Sequence, residues 1–199
     1  MGQYYKAIVL KKNWKRANNP TMAYIESWDY DNGSKLMEHS YIGNRMCKAV
    51  EHMLSKDFYK CRFVWCGDYA DSIKSRIAFE NGEDYTDNEN DKNAYIFADD
   101  VKTERMKYDE SDDKYLDTYH KYIINFSKKL YVELPHYVQG AFKVHPLPIL
   151  CSDGNGRGGG DYYGTNMDIV GVWAYDVIGV DDEIPKGFKE LKVIFEEDR

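Results

Sequence analysis

The chain is poor in cysteine. Its four cysteines (Cys47, Cys61, Cys66 and Cys151) are scattered through 199 residues without a close pair, so neither a disulfide framework nor a zinc knuckle is indicated. Cys61 and Cys66 lie five apart on an expected strand, which turns them to opposite faces. Long hydrophobic runs are also missing. Charges or amides interrupt every apolar stretch well short of the roughly 18 to 20 residues a membrane helix needs, so no membrane span is expected. The start, Met-Gly-Gln-Tyr-Tyr-Lys, runs straight into an expected strand without the basic and apolar regions of a signal peptide. With reduced thiols, this gives the expectation of a cytoplasmic chain. Positive charge is short as well: 34 acidic residues face 27 basic ones, a net charge of −7. No global positive field exists to hold a phosphate backbone, which disfavours nucleic acid as a partner.

What is present reads as one α+β domain over residues 1–199, mainly antiparallel sheet with one or two packed helices. Gln3 to Lys11 and Thr21 to Tyr30 are rich in β-branched and aromatic residues and are expected strands. Asp31-Asn32-Gly33 supplies hairpin-turn chemistry that would return the chain into a strand over Lys35 to His39. Asn44 is an N-cap candidate for a helix to about Lys56, with Met46, Cys47, Val50, Met53 and Leu54 at helical spacing. Arg62 to Trp65 reads as a short buried strand. Tyr122 to Asn125 and Leu130 to Leu134 read as a hairpin around Ser127-Lys128-Lys129. The last third reads as a strand Phe142 to His145, a rigid Pro146-Leu147-Pro148 step, a long strand Ile169 to Val180 and a final strand Glu190 to Glu197.

Residues 81–117 read as an acidic insertion. Between Glu80 and Asp117, fourteen acidic residues face five basic ones, with a short strand at Tyr95 to Phe97 and a helix near Asp112 to Tyr119. A charge run of this kind is usually a solvated face; the functional alternative is docking on a basic protein partner, or imitation of a phosphate track.

The segment that stands out is Cys151 to Gly164, CSDGNGRGGGDYYG, with glycine at six of fourteen positions. Such density frees the backbone to converge its N–H groups on a phosphate or carboxylate. The expected anion site comprises Asp153, Gly154, Asn155, Gly156, Arg157, Gly158, Gly159, Gly160, Asp161 and Tyr162. Arg157 would add a charge-assisted contact, and Tyr162 or Tyr163 would stack on the ligand's flat part. Gly154, Gly156 and Gly159 match the spacing G-x-G-x-x-G, but Gly160 to Gly164 is a poor helix start, so no dinucleotide fingerprint results. The alternative is a wide loop whose glycines serve turn geometry.

Catalytic candidates are His39, His145 and Asp68. His39 comes after the first turn, His145 leads into the glycine loop, and Asp68 stands with Asp71 at the end of a buried strand. Against each stands the reading of a satisfied structural histidine or a turn-capping aspartate, with Asp71 capping the next helix. No metal-ligand spacing occurs, and neither a metal nor a cofactor is called for.

Five pieces, MGQYYKAIVL, SWDYDNGSKLMEHSYIGN, VWCGDYAD, HPLPILCSDGNGRGGGDYYG and IVGVWAYDVIGV, together about a third of the chain, resemble a family of uncharacterised proteins in bacteria and their phages. The resemblance implies context, such as a phage counter-defence factor, and carries over no site residue. Three functional readings are open. The first is a binding protein that sequesters a small anionic, nucleotide-type molecule through the glycine loop. The second is a nucleotide-cleaving hydrolase with His39 or His145 as base and Asp68, Asp161 or Asp176 beside it. The third is an acidic interaction module. A homodimer is compatible with all three.

Overall fold

The computed structural model describes residues 3–109, 111, 115–137, 142–155 and 160–196. The chain is α+β, built on one mixed nine-stranded sheet. Its centre is antiparallel: β1 (Tyr5–Leu10) lies between β2 (Thr21–Glu26) and β3 (Cys61–Gly67). Beyond β3 come β8 (Val177–Asp181) and the hairpin of β5 (Tyr122–Asn125) and β6 (Leu130–Glu133). Three short parallel pairings complete it. β4 (Glu104–Arg105) joins β2, β7 (Ser152–Asp153) joins β3, and β9 (Lys189–Glu190) joins β6.

β1 is buried along its whole length, so both faces of the sheet are covered. Alternation assigns its residues: Tyr5, Ala7 and Val9 enter the larger core, Ile8 and Leu10 the smaller one on the other face. β3 divides the same way, with Phe63 and Trp65 against Val64 and Cys66. Cys61 packs beside the larger core and Cys66 sits in the smaller, on opposite faces as the spacing required. Helix α2 (Arg45–Ser55) covers the larger core with Met46, Cys47, Val50, Met53 and Leu54, all fully buried. Burial of such side chains contributes about 1.5–3 kcal/mol each. Asn44 starts it, its Oδ1 accepting from the Met46 N–H at 2.8 Å.

Several expected strands are something else. Residues 36–39 form the helical turn α1 (Leu36–His39), and the positive φ falls on Asp31 rather than Gly33, so no hairpin forms there. Phe142 to His145 contributes one bridge, Tyr41 to Val144, before α5 (Pro146–Cys151) begins. Pro146 presets φ at the first helical position, and His145 caps it by accepting the Leu147 N–H at 3.1 Å on Nδ1. The long strand from Ile169 shrinks to β8, because Gly171 (φ 73°) and Tyr175 (φ 65°) turn the backbone left-handed. The C-terminal strand reduces to β9.

The acidic stretch is anchored to the fold at several points. Tyr95 to Phe97 belongs to α4 (Ala94–Ala98), capped by Asn93 at the Ile96 N–H, which buries Ala94 and Ala98 in the smaller core. The helix expected near 112–119 is a 3-10 turn at Tyr115–Asp117, with 112–114 outside the described residues. Ser72, one position past Asp71, caps α3 (Ile73–Asn81) and is itself held by Asp87. Asp91 pairs with Lys74 and Asp99 with Lys6, so these carboxylates serve their own chain. No helix among the described residues is long and apolar enough to cross a membrane.

Candidate functional site

The roots of the glycine loop are built around Tyr5. β7 brings Asp153 level with Cys66 on β3, and Gly154 comes directly after it. A Cβ on Gly154 would lie 2.6 Å from the Tyr5 hydroxyl, and one on Gly160, at φ 56°, would lie 2.7 Å from it. Those glycines make room for a buried ring. The Asn155 N–H and the Tyr5 hydroxyl both donate to Gln3 Oε1, at 3.0 and 3.2 Å. Asp161 accepts the Met37 N–H at 2.9 Å, which fastens the loop to α1. Tyr162 is buried, its hydroxyl donating to the Thr165 carbonyl at 2.5 Å, while Tyr163 is exposed. Tyr162 therefore packs in the core and offers no face to a ligand. Gly156, Arg157, Gly158 and Gly159 lie outside the described residues.

Charge at these roots is negative. Burial, followed by the charges of Asp161, Cys66, Asp153 and Asp68, pushes the Tyr5 hydroxyl far above the ordinary tyrosine range. Asp153 is raised by its own burial, partly offset by the bond it accepts from the Tyr175 hydroxyl at 2.7 Å and by Arg76. Asp68 accepts the Tyr4 N–H at 3.0 Å, tying the first strand to the end of β3. Three carboxylates within electrostatic reach of one ring weigh against an anion at the described part of the loop.

Both histidine candidates are fully buried with both ring nitrogens engaged. Trp65 Nε1–H donates to His39 Nε2 at 3.0 Å, so His39 Nδ1–H donates to the Gly33 carbonyl at 3.0 Å. Burial pushes its pKa down to about 4, against the opposing Gly33 bond and Glu38 charge. His145 uses Nδ1 as the cap of α5, which leaves its Nε2–H to donate to Glu51 Oε1 at 3.0 Å. Burial pushes the Glu51 carboxyl up, but the His145 and Lys48 contacts outweigh it and hold the group below the ordinary glutamate range. Neither ring is open to a substrate. Asp176, the remaining acid of that reading, accepts from Asn125 at 2.8 Å and from Lys128.

The clefts of the described residues lie elsewhere: an open one of about 660 Å³ runs between the end of β6 with Leu134 to His136 and residues 190–194, and a smaller one, walled by aromatic rings, lies at the connection between α1 and α2. A cleft of about 380 Å³ is lined by Tyr41, Ile42, Gly43 and Asn44 on that connection, by Glu38 of α1, and by Tyr137 and Phe142. Three rings line it, and Tyr119 stands behind one of them. Tyr41 and Phe142 meet edge to face at 5.8 Å, and Tyr137 stacks on Tyr119 at 6.3 Å with 26° between planes. Phe142 is 71% exposed and Tyr137 44%. Gly43 makes the close approach possible: at φ 81° it carries no Cβ, and one placed there would stand 2.5 Å from the Tyr137 ring. The Ile42 N–H donates to the Lys143 carbonyl at 2.9 Å, which fixes Phe142 beside Tyr41.

Behind this cleft, sharing Ile42 and Gly43, a cavity of about 20 Å³ is lined by Lys48, Glu51, Tyr119 and His120. Lys48 Nζ lies 3.5 Å from Glu51, 4.1 Å from the centroid of Tyr119, and donates to the Thr118 carbonyl. The ionic cluster therefore supports the aromatic wall: Glu51 holds Lys48, Lys48 holds Tyr119, and Tyr119 stacks on Tyr137. His120, with pKa lowered chiefly by burial, also faces a second cleft of about 240 Å³ with Tyr59, Asp181 and Asp182. None of these cleft residues was among the sequence candidates. The one local signal was Tyr-Ile-Gly-Asn before a helix, an aromatic and a glycine at an N-cap.

Among the described residues, no group of three or more His, Cys, Asp or Glu side chains is placed to hold a metal ion. Comparison of the chain with protein-family models, with curated proteins and with solved structures gives no match.

Proposed function

We propose that this chain is a binding protein for a small organic molecule, whose flat or apolar body enters the cleft between the Tyr41–Phe142 pair and Tyr137. The observation that carries this is Gly43. A left-handed glycine lets the Tyr137 ring lie directly on the backbone, where any side chain would push it away, and so fixes one wall of the cleft. The volume, near 380 Å³, lies at the small end of ligand sites, and exposed rings at its rim are the usual apolar contact surface of such sites. Binding without turnover is the favoured form, because His39 and His145 are sealed in the core as neutral or paired groups. The ligand of the glycine loop, expected to be an anion, is not the guest of this cleft, which has Glu38 as its charged lining residue.

Saturation-transfer NMR of the full chain against a library of compact aromatic and aliphatic molecules tests the reading. Hits are expected with the wild type and lost in the Tyr137→Ala/Phe142→Ala variant. Hits retained by that variant would place the site elsewhere.

A further inference from the structure

We propose that the guest of the aromatic cleft is an organic cation, of the quaternary or alkylated ammonium class; this rests on the cleft being the ligand site. Three rings, Tyr41, Tyr137 and Phe142, border one volume together with one carboxylate, Glu38. None of its described lining residues is Lys, Arg or His. The face of an aromatic ring carries the negative part of its quadrupole, so several rings around one space make a surface that attracts a diffuse positive charge. A carboxylate at the rim adds a full charge of the same preference, and the chain's net charge of −7 favours cation approach over anion approach.

The carboxylate is held in position. Glu38 Oε2 accepts the Lys35 N–H at 3.0 Å, as the third residue of α1 reaching back over the helix start. The same interaction is already used one layer behind, where Lys48 Nζ sits 4.1 Å from the centroid of Tyr119. Tyr119 in turn stacks on Tyr137, so one side of the wall meets the chain's own ammonium while the cleft side is offered to a guest. An alkylated ammonium suits this geometry better than a primary one. Its methyl groups lose little hydration on entering an apolar cage, and the asparagine of the lining is committed, Asn44 Oδ1 accepting from Met46 N and its Nδ2 donating to Asn32 Oδ1.

Isothermal titration of the full chain with choline, and with the neutral carbon isostere in which a tert-butyl group replaces trimethylammonium, separates charge from shape. The expected result is binding of choline about tenfold tighter than the isostere, the ratio that a desolvated cation–π contact supports. Phe142→Leu keeps an apolar side chain of similar bulk and removes a π face; it should erase most of that preference without abolishing isostere binding. Glu38→Gln keeps the acceptor for the Lys35 N–H and should weaken choline alone, by about two- to fivefold. Equal binding of choline and isostere would overturn the cation assignment while leaving a small-molecule cleft. Absence of binding by choline while neutral library members bind would do the same. Absence of binding by every probe would remove both the cation and the cleft.

Discussion

The ring of Tyr137 lies across the backbone of Gly43, so close that a Cβ at Gly43 would stand 2.5 Å from it. Two residues distant in sequence are thereby joined at a point where the backbone is left-handed and bare. The cleft exists because of this contact. Gly43→Ala should cost about 1–3 kcal/mol from left-handed strain alone, with the collision added. Urea denaturation of Gly43→Ala and of the Gly43→Ala/Tyr137→Ala double variant separates the two: the second change should recover the collision and leave the strain. A neutral Gly43→Ala substitution would refute the geometry.

The acidic stretch is pinned at Lys6. Its ammonium, 3% exposed in the side chain, lies 2.5 Å from Asp99 and 3.4 Å from Glu26, over the ring of Tyr95 at 4.1 Å. Asp99 is 61% exposed, so the two partners are unequal. Lys6→Ala leaves a cavity beside Tyr24 and Tyr95 while Glu26 keeps Arg105 at 2.9 Å, and should cost about 2–4 kcal/mol through lost packing, whereas Asp99→Ala leaves Lys6 with Glu26 and should cost about 1 kcal/mol or less. Equal losses in chemical denaturation would show that the ion pair, rather than the buried lysine, anchors this stretch.

Acid should destabilise the fold through His39. Its folded-state pKa is pushed down to about 4 by burial, below the ordinary value near 6.5. The unfolded chain therefore binds more protons between those limits, so the contribution of neutral His39 is complete above pH about 6.5 and is lost as pH falls toward 4. Linkage gives about 2 kcal/mol between pH 7 and 5. Urea midpoints over that range should fall for the wild type and fall less for His39→Gln. His120, also lowered by burial, keeps part of the slope in the variant.

Glycine in the loop root should matter through Tyr5. Gly154→Ala sets a methyl against the Tyr5 hydroxyl at 2.6 Å and Gln3 Oε1 at 2.2 Å. A loss of about 1–3 kcal/mol is expected, reduced in the Tyr5→Phe background, where the hydroxyl is gone. Additive losses in the double-variant cycle would break the link between this glycine and that ring.

Much of the frame could be read from periodicity. β1, β3 and the β5–β6 hairpin carry short runs rich in β-branched and aromatic residues, α2 with its Asn44 cap carries helical spacing, and they form where those patterns stand. Short apolar runs were ambiguous: Ala94–Ala98 is equally good as strand or helix until Asn93 caps it. The run from Ile169 reads as a strand because left-handed φ at Tyr175 has no signature in its residue type. The same limit hid the cleft. Tyr41, Tyr137 and Phe142 do not stand out among eighteen tyrosines and eight phenylalanines, and the bridge from Tyr41 to Val144 and the approach of Tyr137 to Gly43, which bring the distant pieces together, have no mark in the sequence. Glycine density, by contrast, shows at once in a sequence, whereas the buried ring that Gly154 and Gly160 accommodate does not.

The most direct measurement is amide chemical-shift mapping of the full chain during titration with choline. The account predicts saturable shifts centred on Ile42, Gly43 and Asn44, with smaller ones at Tyr119 and His120. Saturable shifts confined to other surfaces, or none while other small molecules shift Ile42 to Asn44, would contradict it.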